Sequence, residues 1–304
     1  MAELQFPNGQ IVNVEFDDVQ HTYQIQHKLD DGNYTDYRPT HGITAPLVTV
    51  PKPYLKKWAA KMATDATLAY IQDHADDFTT DYIAEFFDDK KAYEDNERTE
   101  DGKPVMSYYR FTKKYPWYRV VKAAADTKSK DSMELGTWLH GAVEQFYATG
   151  RKHKPVLTEF VEPMWQAFKK FDNFFKPVIE PEGVEFLVYS LMFGYSGKGD
   201  VRGKINGKYC IGDWKTSNRS AQNEDGISVE YFFQLGGLAQ AEFERTGVWA
   251  DDLFVANFAK DGGEPRVVFA SEFGMSPQDC ARAYVGCFNL YHTIQDWDYK
   301  FKTK

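Results

Sequence analysis

Hydrophobic and polar positions change period several times along the chain, and each change marks an element. Residues 11–16 (Ile-Val-Asn-Val-Glu-Phe) and 21–25 (His-Thr-Tyr-Gln-Ile) alternate, and with the Asp31-Gly32-Asn33 turn they predict a small antiparallel β-element. Thr44 to Pro53 holds three prolines and must be irregular. From about Tyr54 the period becomes helical, with Leu55, Trp58, Ala59, Met62, Ala66 and Ala69 on one face. A shorter helix is expected over Thr79 to Phe87, and a polar loop from Asp95 to Pro104.

Helix continues through Ala123 to Ala125 and, with or without a break, through Ser132 to Tyr147, where Leu135, Leu139, Val143 and Phe146 form the apolar stripe and Gly150 closes the element. Phe160 to Phe175 is strongly amphipathic and ends before Pro177. Three glycine-punctuated strands are expected between Val184 and Met192, Val201 and Ile205, and Tyr209 and Ile211, the last two joined by an Asn206-Gly207 turn. A helix over Gly226 to Gly247, strands over Asp252 to Phe258 and Pro265 to Phe269, and a final helix from Ser276 to about Gln295 complete the reading. The order ααβββαββα predicts an α/β (α+β) protein, a sheet flanked by helices, with a mainly helical N-terminal region carrying the small β-element. Residues 1–130 and 131–304 are the expected domains.

Composition narrows the classes. With 304 residues, 42% hydrophobic and 16% aromatic, the chain can bury a full core. A net charge of −9 argues against indiscriminate nucleic-acid binding but not against a local basic path, since acid gathers between Asp65 and Asp101. No apolar run spans a bilayer and the N-terminus lacks a signal peptide's basic start and apolar core, so no membrane association is expected and a bacterial or phage-infected host cytoplasm is the expected location. Cys210, Cys280 and Cys287 show no paired spacing, which argues against a disulfide scaffold, a zinc site or an iron–sulfur cluster. They read as buried thiols.

Candidate chemistry concentrates between Gly183 and Ser217. Pairing through the Asn206-Gly207 turn brings Asp200 opposite Asp213, and Lys215, two residues on, shares the face of Asp213. Like charges opposed on adjacent strands destabilise a sheet, so two carboxylates converging beside a lysine suit either a hard cation such as Mg2+ or Mn2+ or an ordinary salt-bridged hairpin. His140 and Glu144 lie four apart on one helix face, where a lone histidine is a ligand or a satisfied core residue. Lys52, Lys56, Lys57 and Lys61 line one side of the first helix as a solvated face or a DNA contact. Tyr108, Tyr109, Arg110, Phe111, Lys113, Lys114, Tyr115, Trp117, Tyr118 and Arg119 interleave rings with positive charge, a pattern that fits stacking on unpaired bases or an aromatic cluster joining helices.

The succession Gly136-Thr137-Trp138-Leu139-His140, Glu185, Tyr195-Ser196-Gly197-Lys198-Gly199-Asp200, Asp213-Trp214-Lys215-Thr216-Ser217 and Gln234 resembles the PD-(D/E)XK nucleases, closest to the RecB-like exonuclease branch that includes phage exonucleases and a mitochondrial genome-maintenance exonuclease. The resemblance covers about Glu134 to Phe258, with weaker echoes at His21-Thr22-Tyr23 and Leu55 to Trp58. It implies a restriction-endonuclease-like core with a central mixed β-sheet flanked by helices. It implies that His140, Asp200 and Asp213 are metal ligands together with the Trp214 carbonyl, that Glu185 supports a second metal or its waters, and that Lys215 acts near the nucleophilic water. Thr216 and Ser217 would then face substrate, and Gln234 would contact the substrate backbone or orient a neighbour. Glycine precedes Asp200 where proline is common, and Leu238 stands where a tyrosine often follows the glutamine, so that substrate contact is either missing or supplied by Tyr231.

The implied activity is an Mg2+- or Mn2+-dependent deoxyribonuclease, more an exonuclease than an endonuclease, acting on single-stranded DNA or duplex ends in phage or recombination and repair metabolism. A recombination or single-strand-binding protein would be its partner. No iron–sulfur cluster is expected. The alternative is a catalytically silent module that keeps the nuclease scaffold to bind DNA or a protein.

Overall fold

In a computed structural model that describes residues 1–217 and 227–302, the chain is an α/β protein built on a mixed, open nine-stranded sheet. The strands are β1 (Ala2–Gln5), β2 (Ile11–Asp17), β3 (Thr22–His27), β4 (Arg38–Gly42), β5 (Val184–Tyr189), β6 (Tyr195–Ile205), β7 (Lys208–Ser217), β8 (Asp252–Ala259) and β9 (Arg266–Phe269). The helices are α1 (Pro53–Asp73), α2 (Thr80–Glu94), α3 (Tyr108–Lys114), α4 (Pro116–Ala148), α5 (Glu162–Phe175), α6 (Val229–Thr246) and α7 (Pro277–Lys302). The sheet order is β1-β2-β3-β4-β6-β7-β8-β9, with β5 paired to β6 off this path. Two compact units emerge: residues 1–51 with 135–304, and residues 52–134.

The N-terminal region is therefore not mainly helical with a small β-element beside it; four strands come first and helices follow. Those strands join the central sheet. The junction is short and long-range: β4 pairs in parallel with β6 at His41↔Tyr195 and Gly42↔Ser196, extended by Ile43 N–H donating to Ser196 O at 2.8 Å. Nothing in the local period of Arg38-Pro39-Thr40-His41-Gly42 announces such a pairing, because its partner lies more than a hundred residues away.

Within the larger unit the sheet is covered on both faces. Every residue of β8 is buried, as expected of a central strand. Leu253 and Val255 face a layer with Phe232, Leu235, Leu238 and Tyr284 of α6 and α7, whereas Phe254, Ala256 and Phe258 face Leu139, Val143, Phe146, Phe168 and Phe171 of α4 and α5. Gly236 lets α6 meet α7 closely, since a Cβ there would lie 2.2 Å from the Cys280 backbone. Asn206 and Gly207 both have positive φ (50° and 79°), as a two-residue hairpin turn between β6 and β7 requires. Ser276 caps α7, its Oγ accepting from Asp279 N–H at 3.1 Å.

The smaller unit closes around Phe86, Ala92, Met106, Phe111 and Tyr115, with Tyr82, Tyr93, Trp117 and Tyr118 packed against them. The helical stretches at Ala123 to Ala125 and Ser132 to Tyr147 belong to one element: α4 runs unbroken from Pro116 to Ala148. The Tyr54, Leu55, Lys56 and Trp58 side chains and the expected start of the later helix at Gly226 lie outside what the structure describes. No helix among the described residues is long and apolar enough to cross a membrane.

Candidate metal centre

His140 is carried by the inner stripe of α4. Leu139 and Val143 beside it are fully buried against α5 and the sheet, and this fixes the helix and leaves the imidazole over the end of the β6–β7 ladder. Its Nε2 lies 2.9 Å from the Trp214 carbonyl oxygen. A carbonyl only accepts, so Nε2 carries the proton and Nδ1 is the nitrogen turned to the acids. Nδ1 stands 3.5 Å from Asp200 Oδ1 and 3.7 Å from Glu185 Oε1. Burial alone would depress this imidazole; the Asp200 charge and the facing Glu185 carboxylate, against the pull of Lys215, instead lift its pKa to about 9.

Glu185 departs from a regular strand. Val184↔Val201 and Phe186↔Gly199 are paired around it, yet Glu185 itself has φ +48°. A non-glycine residue in that region costs about 1 to 3 kcal/mol and persists only where its surroundings hold it. The surroundings here are ionic: Lys198 Nζ is 2.8 Å from Glu185 Oε2. Burial would raise this carboxyl, but His140 and Lys198 outweigh it and hold the group below its ordinary pKa.

Asp200 faces Glu185 across the ladder, at the point where β6 and β7 part. Their backbone pairing runs from Ile205↔Lys208 to Val201↔Gly212 and stops. At the next position the Asp200 side chain takes over, Oδ2 accepting from Trp214 N–H at 2.7 Å. Burial, with Asp213 and Glu185 as like charges, drives its pKa well up against the opposing pull of His140 and Lys215. Ligand atoms of His140, Glu185 and Asp200 all lie within 4.8 Å of one another.

Asp213 and Lys215 share a face of β7, as their spacing requires, and pair at 2.5 Å between Oδ2 and Nζ. That oxygen is buried, so the Lys215 ammonium is its partner in a charge-assisted contact. Lys215 also lies 4.9 Å from the centre of the Tyr231 ring on α6. Trp214 between them turns into the opposite layer, fully buried among Phe168, Phe171 and Phe258. The structure thus groups His140, Glu185 and Asp200, while Asp213 stands beside them in an ion pair and the Trp214 carbonyl receives the imidazole.

Of the remaining candidates, Ser217 Oγ accepts from Asn257 Nδ2 at 2.9 Å, Thr216 lies toward Gly136 on α4, and Gln234 is half-buried on α6. In the smaller unit, Phe111 and Tyr115 are core, Lys114 pairs with Glu85 and Asp89 at 2.6 Å each, and Trp117 Nε1–H donates to Tyr82 at 3.1 Å. Arg110 donates to the Val105 carbonyl at 3.2 Å. Tyr108, Tyr109, Lys113 and Arg119 remain exposed. Lys61, on the expected basic face of α1, pairs with Asp65.

Lys198, within Gly197-Lys198-Gly199-Asp200, joins the site through Glu185, a role that the local pattern does not announce. Its spacing of two from Asp200 on one strand was the available signal, and it marks only a shared face. Asp18, 3.5 Å from its ammonium, and Phe16, whose ring centre is 5.1 Å away, gave none, because only the sheet brings them there.

One imidazole nitrogen and two carboxylates, gathered on rigid elements, fit a hard divalent cation such as Mg2+ or Mn2+. Two acids facing each other across adjacent strands are the arrangement such a cation relieves. No known family model matches the sequence, and no curated protein does. Among solved structures the chain is similar to the crystal structure of SSO0001, at 16% identity, covering 61% of this chain and 69% of that one, with a TM-score of 0.33.

Proposed function

We propose that the protein is a metal-dependent DNA nuclease with a restriction-endonuclease-like core, an exonuclease acting on DNA ends or single strands in phage or recombination metabolism. The observation that carries this reading is the meeting of His140, Glu185 and Asp200 beside the Asp213–Lys215 pair, at the point where β6 and β7 separate. A bound Mg2+ or Mn2+ would neutralise a phosphodiester and make its bound water more acidic.

The chain's own groups do the rest. His140 presents Nδ1 because Nε2 is committed to Trp214, and Asp200 is held by the Trp214 amide, so both ligand atoms are already in place; the Nδ1 proton that the acids hold there would give way to a bound cation. Lys215 supplies positive charge beside the acids, where it orients an attacking water and offsets charge developing on phosphorus. Tyr231 confines that ammonium from the α6 side, and Gln234, on the same helix, is the substrate-facing group by resemblance. The products would carry a 5′-phosphate and a 3′-hydroxyl.

The test is incubation with end-labelled linear and circular DNA, single- and double-stranded, in Mg2+ or Mn2+. Degradation stopped by EDTA and lost in Asp200→Ala and Lys215→Ala supports the reading, and resistance of circles assigns exonuclease action. Full activity in either variant sinks it. A second reading, a silent module that binds DNA or a protein, draws on the Asp213–Lys215 pair, which satisfies both charges internally. It predicts binding of labelled single-stranded DNA, followed by anisotropy in Ca2+, with no cleavage in any metal.

A further inference from the structure

Glu185 is held from two sides. Oε1 is turned to His140, in the group that could hold a cation, while Oε2 lies 2.8 Å from the Lys198 ammonium. A carboxylate bridging two metal ions uses one oxygen for each, and two-metal phosphodiesterases place their ions about 3.5 to 4 Å apart on such bridges. Lys198 thus stands on the outer side of Glu185, where a second ion would sit.

The surroundings of that ammonium are those of a cation site. Asp18 Oδ1 is 3.5 Å away, and Glu144, one turn beyond His140 on α4, lies within electrostatic reach of Lys198, Glu185 and Asp18. The Phe16 ring, 5.1 Å off, gives an aromatic face to the same charge. Phe16 and Asp18 come from the end of β2 and the turn after it, so the N-terminal strands help to build the position.

Resting on the metal-dependent reading above, we infer that the Lys198 ammonium takes the place of a second divalent cation, so that this chain works with one metal ion held by His140, Glu185 and Asp200. Lys198 is a positioning residue: it holds Glu185 with one oxygen toward the ion and repels any second divalent charge. Asp18 and Glu144 balance the ammonium.

The experiment counts bound Mn2+ by electron paramagnetic resonance and by equilibrium dialysis, without substrate. The intact chain is expected to hold one Mn2+, Lys198→Ala to hold two, and Lys198→Arg, which keeps the charge, to hold one. Two ions in the intact chain, or one in a folded Lys198→Ala, overturns the inference while leaving the metal centre standing. If Lys198→Ala does not fold, Lys198→Met, which keeps the length of the side chain without its charge, takes its place: two bound ions support the inference and one overturns it. An intact chain that binds no Mn2+ overturns the metal centre itself, and the role of Lys198 with it.

Discussion

The Nε2 atom of His140 lies 2.9 Å from the carbonyl oxygen of Trp214, so a helix is tied to a strand through the one nitrogen that a metal would not use. The opposite nitrogen is thereby aimed at Asp200 and Glu185. Loss of supporting groups around metal sites costs about 10- to 100-fold in affinity, and loss of a direct ligand costs at least as much. His140→Ala is expected to weaken Mn2+ binding by about 100-fold or more by titration calorimetry. An unchanged affinity would remove His140 from the centre.

Asp213 and Lys215 test whether the neighbouring pair is structural as well as chemical. Removing one member of a buried ion pair leaves the other uncompensated at a cost of about 3 to 5 kcal/mol. Lys215→Met should lose stability of that order in urea unfolding, because it strands the buried Asp213. Asp213→Asn combined with Lys215→Met should recover much of the loss and still be inactive on DNA. Stability that falls further in the double variant would contradict the pairing.

The aromatic and basic segment separates into core and surface. Phe111 is fully buried, so Phe111→Ala should destabilise the smaller unit by about 3 to 5 kcal/mol. Tyr109 is 73% exposed, and Tyr109→Ala should stay within about 0.5 kcal/mol of the parent. If the exposed rings stack on bases, the same change lowers affinity for labelled single-stranded DNA by about 1 to 3 kcal/mol. Unaltered anisotropy curves would assign the whole segment to packing.

Burial sets the reactivity of the thiols. Cys210 is pushed up to about 12, by burial first and then by Asp252, and Cys280 to about 11, by burial and then Asp279. At pH 8 both stay protonated and inaccessible, whereas Cys287 is only half-buried. Ellman's reagent should titrate no more than Cys287 rapidly in the native protein, nothing in Cys287→Ser, and all three thiols after guanidinium unfolding. A rapid phase surviving in Cys287→Ser would show that the β7 or α7 layer opens.

Local signals determined much of this protein. The Asn206-Gly207 turn fixed the β6–β7 register and hence the placing of Asp200 opposite Asp213, while period 2 along β7 put Asp213 and Lys215 on one face. Period 3.6 placed His140 beside the buried stripe of α4. Turn residues and periodicity act over a few positions, and a sequence displays them directly. Tertiary structure alone decided that β1 to β4 extend the same sheet, that Glu185 adopts a left-handed backbone, and that Lys198 sits between Glu185, Asp18 and Phe16. Those relations join residues well over a hundred positions apart, or set ionic contacts against backbone strain. They exist only once the sheet has closed, because a few residues of local pattern carry no record of a partner that distant.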